Sequence, residues 1–223
     1  MKIRLSTWIL IGCASTAFAL PPVEPSADLF ENDQVKVVRA MEKPGAKGKF
    51  HEHKLNRVMV YLQSGRQRFE YQDGRKPEVF DWTAGQVKWS PADGMHSPEV
   101  VSDAAFNIIE ILLKNPGPGR AITGSLDPVK TDPGAYHVEF ENDQVRVLRV
   151  NIGAHQTAPL HEHALNRVTV FLTAQDFRVT TADGKVQTVQ HKAGDAAWGM
   201  PITHKEENLS DQGFEAVVVE IKK

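Results

Sequence analysis

Cysteine is almost absent from this sequence, since Cys13 is the only one among 223 residues. No disulfide can form within the chain, so the fold must be held together by its hydrophobic core. A hydrophobic content of 41% is ample for such a core, and 24% charged residues argue against intrinsic disorder. The length allows one large domain or two small ones.

An excess of charge of either sign is missing as well. The formal net charge is −2 at pH 7, and no basic stripe runs along the chain. Proteins that bind nucleic acids usually carry a basic patch, so we expect no nucleic-acid partner. Helical periodicity is also absent, because no stretch repeats its apolar residues at the spacing that one helix face requires.

One apolar segment stands apart from the rest, at the N-terminus. Two basic residues precede the apolar residues 5–14, and a small-x-small motif ends at Ala19. We therefore predict a signal peptide over residues 1–19, too short to span a membrane, and a periplasmic or secreted protein. The four residues that end at Cys13 also resemble a bacterial lipobox, so a lipoprotein anchored through Cys13 is the alternative.

One eight-residue motif occurs twice, 110 positions apart. It reads His-Glu-His-Lys-Leu-Asn-Arg-Val from His51 and His-Glu-His-Ala-Leu-Asn-Arg-Val from His161. In a strand, alternate side chains face the same side, so both histidines of each His-x-His point the same way. Two imidazoles on one face are a start for a metal site. Each motif is followed by a further histidine, His96 or His204.

The repeat extends over most of the chain. Ten residues from Phe30 return from Phe140 with eight identical, and each copy combines an Asn-Asp turn with a β-branched run. Asp-Gly pairs at 73–74 and 183–184 predict tight hairpins. Many short strands separated by turn signals predict an all-β barrel or sandwich in each copy.

Composition and repetition together predict the boundaries of the domains. We expect a proline-rich tether over residues 20–27, a first unit over 28–114, a linker rich in Pro and Gly over 115–136, and a second unit over 137–223. The final strands are paired at the same 110-residue offset, residues 106–113 with 216–221. Glu110 and Glu220 lie in these strands, and we expect both to be exposed, with an inward orientation as the alternative.

These motifs resemble the cupin superfamily, and their duplication resembles a bicupin of the small bacterial kind. The first cupin motif has Gly, five residues, His-x-His and then Glu; the second has Gly, five residues, Pro-x-Gly-x-x-His, three residues and Asn. The resemblance implies two tandem cupin-like β-barrels, also described as a double-stranded β-helix or jelly roll. The matching positions are Gly45, His51, His53, Gly85, Pro91 and His96 in the first unit, and His161, His163, Gly194, His204 and Asn208 in the second.

The sequence departs from the cupin pattern at the expected glutamate ligand. Arg57 or Val58 stands there in the first unit, and Arg167 or Val168 in the second. The resemblance still implies a divalent metal, Fe, Mn, Zn, Ni or Cu, bound by His triads. The alternative is that the histidines merely line a polar pocket, since a nearby guanidinium repels a cation unless an anion intervenes. The predicted ligands are His51, His53 and His96 in one unit and His161, His163 and His204 in the other.

Two roles are open for the arginines. Facing inward, Arg57 and Arg167 would be the catalytic candidates, each holding a substrate carboxylate through two hydrogen bonds. Facing outward, they would form salt bridges, for instance to Glu52 or Glu162.

Other matched residues have plainer predictions. We expect the two asparagines to serve turns. The matched tryptophans should lie in the core, with a pocket wall as the alternative. The three remaining histidines should lie at the surface. These residues are Asn56 and Asn166; Trp89 and Trp198; and His137, His155 and His191.

The leading functional hypothesis is a metal-binding bicupin that acts on or binds a small anionic molecule. Dioxygenase, decarboxylase and isomerase chemistry all fit a metal that chelates and polarises its substrate. The alternative is a non-catalytic module with degenerate metal sites that binds a small molecule or a sugar, or that assembles a homo-oligomer.

Overall fold

The structure is a computed structural model, and it describes residues 20–115 and 124–222. The predicted signal peptide with Cys13, the middle of the predicted linker and the C-terminal residue lie outside the described residues. Within the described part, no helix is long and apolar enough to cross a membrane.

The first unit is built of two antiparallel sheets. One sheet has the strand order β1-β2-β9-β4-β7, and the other has the order β3-β8-β5-β6. The strands are β1 (Ala27–Glu31), β2 (Val35–Glu42), β3 (His51–His53), β4 (Arg57–Tyr61), β5 (Gly65–Tyr71), β6 (Glu78–Trp82), β7 (Val87–Ser90), β8 (Asp93–Val100) and β9 (Phe106–Leu113).

The second unit repeats this arrangement, with sheets ordered β10-β11-β18-β13-β16 and β12-β17-β14-β15. A four-residue helix, α1 (Pro128–Thr131), precedes it within the predicted linker. The prediction of two tandem all-β jelly-roll units is confirmed. The strands are β10 (Tyr136–Glu141), β11 (Val145–Ile152), β12 (Thr157–His163), β13 (Arg167–Phe171), β14 (Gln175–Thr181), β15 (Val186–His191), β16 (Ala196–Gly199), β17 (Ile202–Asn208) and β18 (Phe214–Ile221).

Strand alternation gives each five-stranded sheet two different faces. In β4, Val58 and Val60 are fully buried in a core that also contains residues of the second unit. The residues that alternate with them along β4, Arg57, Met59 and Tyr61, line a cavity inside the first unit. One face of the sheet therefore joins the units, and the other builds a site.

Matched residues make reciprocal contacts between the units. Asn56 Nδ2 donates to Gln144 Oε1 at 2.8 Å, and Asn166 Nδ2 donates to Gln34 Oε1 at 2.5 Å. Asn56 also accepts a hydrogen bond from the backbone of Ala92. The asparagines that we assigned to turns thus extend across to the other unit, and the interface has the self-complementary character of a twofold dimer.

The constant offset of 110 residues is wrong for the final strands. In β4, Arg57 faces Leu112 of β9, whereas Arg167 of β13 faces Glu220 of β18. Glu220 is therefore the counterpart of Leu112, and Glu110 is the counterpart of Val218. The second unit is one residue shorter between the Asp-Gly turn and the end of β15, and one residue shorter in β17, which has seven residues where β8 has eight and a bulge before His96.

The segment predicted as a tether lies against the first unit. Pro21 is buried, and its carbonyl accepts a hydrogen bond from Gln63 Nε2 at 2.5 Å. The Glu24 amide donates to Asn107 Oδ1 at 2.7 Å, and the Glu24 carboxylate pairs with Arg39. Residues 21–24 thus make specific contacts with the first unit.

Candidate metal centre

The first triad is assembled by the pairing of β3 with β8, where His51 lies opposite His96. His51 Nδ1 donates to the Lys49 carbonyl at 2.9 Å, which leaves its Nε2 as the free acceptor. The Nε2 atoms of His51 and His53 lie 3.1 Å apart. The three predicted ligands of the first unit lie together, with one ligand atom from each within 4.8 Å of the others.

The second triad repeats this geometry between β12 and β17, where His161 lies opposite His204. His161 Nδ1 donates to the Pro159 carbonyl at 2.8 Å, and its Nε2 lies 3.0 Å from His204 Nε2. His163 Nδ1 donates to Glu220 Oε1 at 3.1 Å. The three ligand atoms again lie within 4.8 Å of one another, and carboxylate–histidine pairs of this kind orient metal ligands in proteins.

The spacing of the nitrogens suits a shared ion. Two nitrogens about 2.1 Å from one ion, at an angle of 90–109°, are separated by roughly 3.0–3.4 Å. The His51–His53 and His161–His204 distances of 3.1 and 3.0 Å match that range.

The protonation of the rings suits a metal too. Burial lowers the pKa of His53 and of His204 to about 3, and it lowers the pKa of His161 and His163 as well. Neutral imidazole is the form that binds a metal, so the residues present fit the ion.

Both arginines face inward. Arg57 and Arg167 line cavities of about 260 Å³ and about 240 Å³ in their respective units. Arg57 is only 5% exposed, and its Nε lies 3.3 Å from Glu110 Oε2. Within the described residues, Arg57 Nε and Nη1 form no hydrogen bond. Arg167 Nη1 also donates to the Met200 carbonyl at 2.6 Å. The positions in the cavity linings favour the inward alternative for both side chains.

Three glutamates line these cavities, and a fourth, Glu220, lies beside His163 of the second triad. Glu110 and Glu220 have side chains only 15% and 1% exposed, so the expectation of surface glutamates is wrong. Glu42 lies in the first cavity and Glu206 in the second. Glu206 follows His204 by two positions in the same strand. Strand alternation therefore predicts that both side chains face the same side, and we did not use this signal.

These carboxyl groups also bear on the repulsion between each arginine and a bound metal ion. Arg57 is balanced by Glu110, and Arg167 by Glu206 and Glu220. Burial raises the pKa of Glu206 and Glu220 to about 7, despite these neighbouring cations. A carboxyl group therefore lies beside each arginine and, when ionised, offsets the repulsion between the guanidinium and a nearby metal ion.

A chain of buried charges supports the second triad. Asp127 caps α1 and holds Arg146 through two hydrogen bonds, one of them 3.0 Å long. Arg146 Nη1 lies 3.6 Å from Glu220 Oε2, and Glu220 accepts from His163. In the first unit, Lys36 occupies the position of Arg146 and pairs with a surface aspartate.

Aromatic residues shape the first cavity. Tyr61 and Trp82 stack at 4.4 Å, and Lys88 Nζ lies 4.8 Å from the centre of the Trp82 ring. Trp89 and Trp198 pack against the shared core, as predicted, and each also lines the cavity of its own unit.

In the second cavity, His191 stacks on Phe171 at 3.9 Å, and Ala197 replaces Lys88. His191 is half-buried, so its predicted surface position is wrong. His137 and His155 are exposed, as predicted.

Comparison with solved structures identifies the fold. AerE from Microcystis aeruginosa matches 86% of this chain and 89% of its own, with a TM-score of 0.61 and 14% identity. Oxalate decarboxylase from Bacillus subtilis matches 88% of this chain and 71% of its own, with a TM-score of 0.60 and 15% identity. Neither a protein-family model nor a curated protein matches the sequence. These likenesses concern the fold alone.

Proposed function

We propose that this protein, a duplicated cupin fold, binds a divalent metal ion in each unit and holds a small carboxylate-bearing molecule beside it. The observation that carries the proposal is the convergence of three imidazoles in each unit, with ligand atoms within 4.8 Å of one another. Three imidazoles suit Fe, Mn, Zn, Ni or Cu and leave coordination positions for water or a ligand.

The arginines supply the second half of the proposal. Arg57 is buried beside the first triad with two nitrogens that have no hydrogen-bond partner among the described residues. A guanidinium in this position matches the two oxygens of a carboxylate. The cavities, about 260 Å³ and about 240 Å³, fit a small molecule. Arg57 and Arg167 would fix the orientation of the acid.

A bound metal would supply Lewis-acid polarisation of a chelated acid. The surrounding residues limit access of water, since His161, His163 and His204 are each 3% exposed or less. We propose a metal-dependent dioxygenase, decarboxylase or isomerase as the activity to assay. We also propose a periplasmic or secreted location, which the predicted signal peptide over residues 1–19 supports, with a lipid anchor at Cys13 as the alternative.

Elemental analysis tests metal binding directly. We expect the chain from residue 20, purified without chelator, to contain about two divalent ions. The double variants His51→Ala/His53→Ala and His161→Ala/His163→Ala should each lose one ion, and the quadruple variant should lose both.

A matched control is His137→Ala/His155→Ala, which removes two exposed histidines and should leave the metal content unchanged. Wild-type protein without metal, even after incubation with each of the five ions, would refute the proposal. It would leave the non-catalytic module as the better reading.

A further inference from the structure

We infer that Glu206 supplies a fourth ligand in the second unit, so that the two units hold different metal sites. The first site would offer three imidazole nitrogens, and the second would offer three nitrogens and one carboxylate oxygen. This inference rests on the proposed metal binding.

The carboxylate of Glu206 lies next to the second triad. Glu206 Oε1 is 3.6 Å from His204 Nε2, and both side chains project from β17 toward the same cavity. Two ligands of one ion are typically separated by about 3.0–3.4 Å. The three histidines alone have ligand atoms within 4.8 Å of one another among the described residues, so the Glu206 side chain would move toward the triad when an ion binds.

Tyr136 lies beside the second triad. Its hydroxyl is 3.3 Å from His161 Nε2. The ring is buried, 1% exposed, and the contact with His161 keeps the hydroxyl at the triad. Tyr136 therefore adds a buried polar group next to the histidine nitrogens.

Glu206 interacts with Arg167, but only from beyond ion-pair distance. Among the described residues, Glu220 contacts Arg146 and Glu110 contacts Arg57, whereas Glu206 has no lysine or arginine within ion-pair distance. A buried carboxylate without a directly paired cation is costly unless it binds a metal or takes up a proton. A divalent ion at the triad would provide a positive charge in direct contact with Glu206.

Among the described residues of the first unit, no carboxylate follows the last histidine in this way. Pro98 occupies the position of Glu206, two residues after the last histidine, and Ser26 occupies that of Tyr136. The first cavity contains two carboxylates: Glu42, from β2, accepts a hydrogen bond from Gln67 Nε2 at 3.0 Å, and Glu110 contacts Arg57. The two sites therefore differ in donor set although their histidines match.

An added oxygen donor changes metal preference. Carboxylate oxygen favours Mn²⁺, whereas imidazoles alone favour Zn²⁺, Ni²⁺ and Cu²⁺. We expect the second site to bind Mn²⁺ better, relative to Zn²⁺, than the first site does.

The test uses the full chain with one site removed at a time. His51→Ala/His53→Ala leaves the second site, and Glu206→Gln is added to it. His161→Ala/His163→Ala leaves the first site, and Glu42→Gln is added as the matched control. Mn²⁺ and Zn²⁺ affinities are measured by calorimetry, and Mn²⁺ coordination by electron paramagnetic resonance.

Glu206→Gln should weaken Mn²⁺ binding at least about tenfold, weaken Zn²⁺ binding less, and change the Mn²⁺ spectrum. Glu42→Gln should change Mn²⁺ affinity less than about twofold. If Glu206→Gln does not fold, Glu206→Asp, which shortens the side chain, should weaken Mn²⁺ binding severalfold.

An unchanged spectrum together with Mn²⁺ affinity within twofold of the parent would overturn the fourth ligand while leaving the histidine sites intact. If the second-site protein binds neither Mn²⁺ nor Zn²⁺ before Glu206 is changed, the proposed function itself fails in this unit.

Discussion

The two units share a strand order and three histidines each, but the surroundings of those histidines differ. The second triad is almost fully buried, and Glu220, Tyr136 and the Asp127–Arg146 pair support it. The first triad is more open, and aromatic rings and Lys88 line its cavity.

The difference shows that the duplicated motif and its supporting residues come from separate parts of the chain. Glu220 hydrogen-bonds to His163, whereas the two-residue shift places Leu112 at the matching position of the first unit. Residues outside the repeated motif therefore decide how rigidly each triad is held, and we expect the second site to bind metal more tightly.

The largest expected effect concerns the buried ion pair that only one unit has. Arg146→Ala leaves Asp127 and Glu220 buried without their cation, so we expect a loss of about 3–5 kcal/mol in the free energy of unfolding. The matched variant Lys36→Ala removes a surface pair and should change the free energy of unfolding far less.

Chemical denaturation of metal-free protein measures both variants. Equal losses for Arg146→Ala and Lys36→Ala would show that the two units are supported alike.

The next effect concerns the orientation of His163. Glu220→Leu introduces the residue that the first unit has at this position and removes the acceptor of His163 Nδ1. We expect the metal affinity of the second site to fall about 10- to 100-fold. The first site of the same protein serves as the internal control, measured by competition with a metal-binding dye. A second site that kept its affinity would contradict the supporting role of Glu220.

The smallest effect distinguishes the two arginines. Arg57→Ala should weaken the binding of a small carboxylate to the first unit about tenfold, because Arg57 Nε and Nη1 donate no hydrogen bond within the described residues. Arg167→Ala should cost the second unit only severalfold, since Arg167 already donates to Met200.

Calorimetric titration of single-site proteins with a panel of small acids compares these variants, and thermal melting checks that each is folded. Unchanged affinity in both units across the panel would argue against carboxylate binding by these arginines.

Much of this architecture could be predicted from sequence because its signals are local. Strand alternation placed both histidines of each His-x-His on one face, and the Asp-Gly pairs marked hairpins. The inward arginines, Glu42 and Glu110 depend on which strands pair and in what register. Two single-residue length differences, each minor in the sequence, shift the final strand of the second unit. Arg57 therefore lies opposite a leucine, and Arg167 lies opposite a glutamate. Only tertiary contacts reveal such shifts.

The reciprocal amide contacts between the units have an evolutionary meaning. Two separate copies of one such unit, associated through the same surface, would have identical centres, because any substitution in one would appear in the other. Joining the copies in a single polypeptide removes that constraint. The hydrogen bonds from Asn56 to Gln144 and from Asn166 to Gln34 preserve the twofold symmetry of the interface between the units. The residues around each centre can meanwhile diverge.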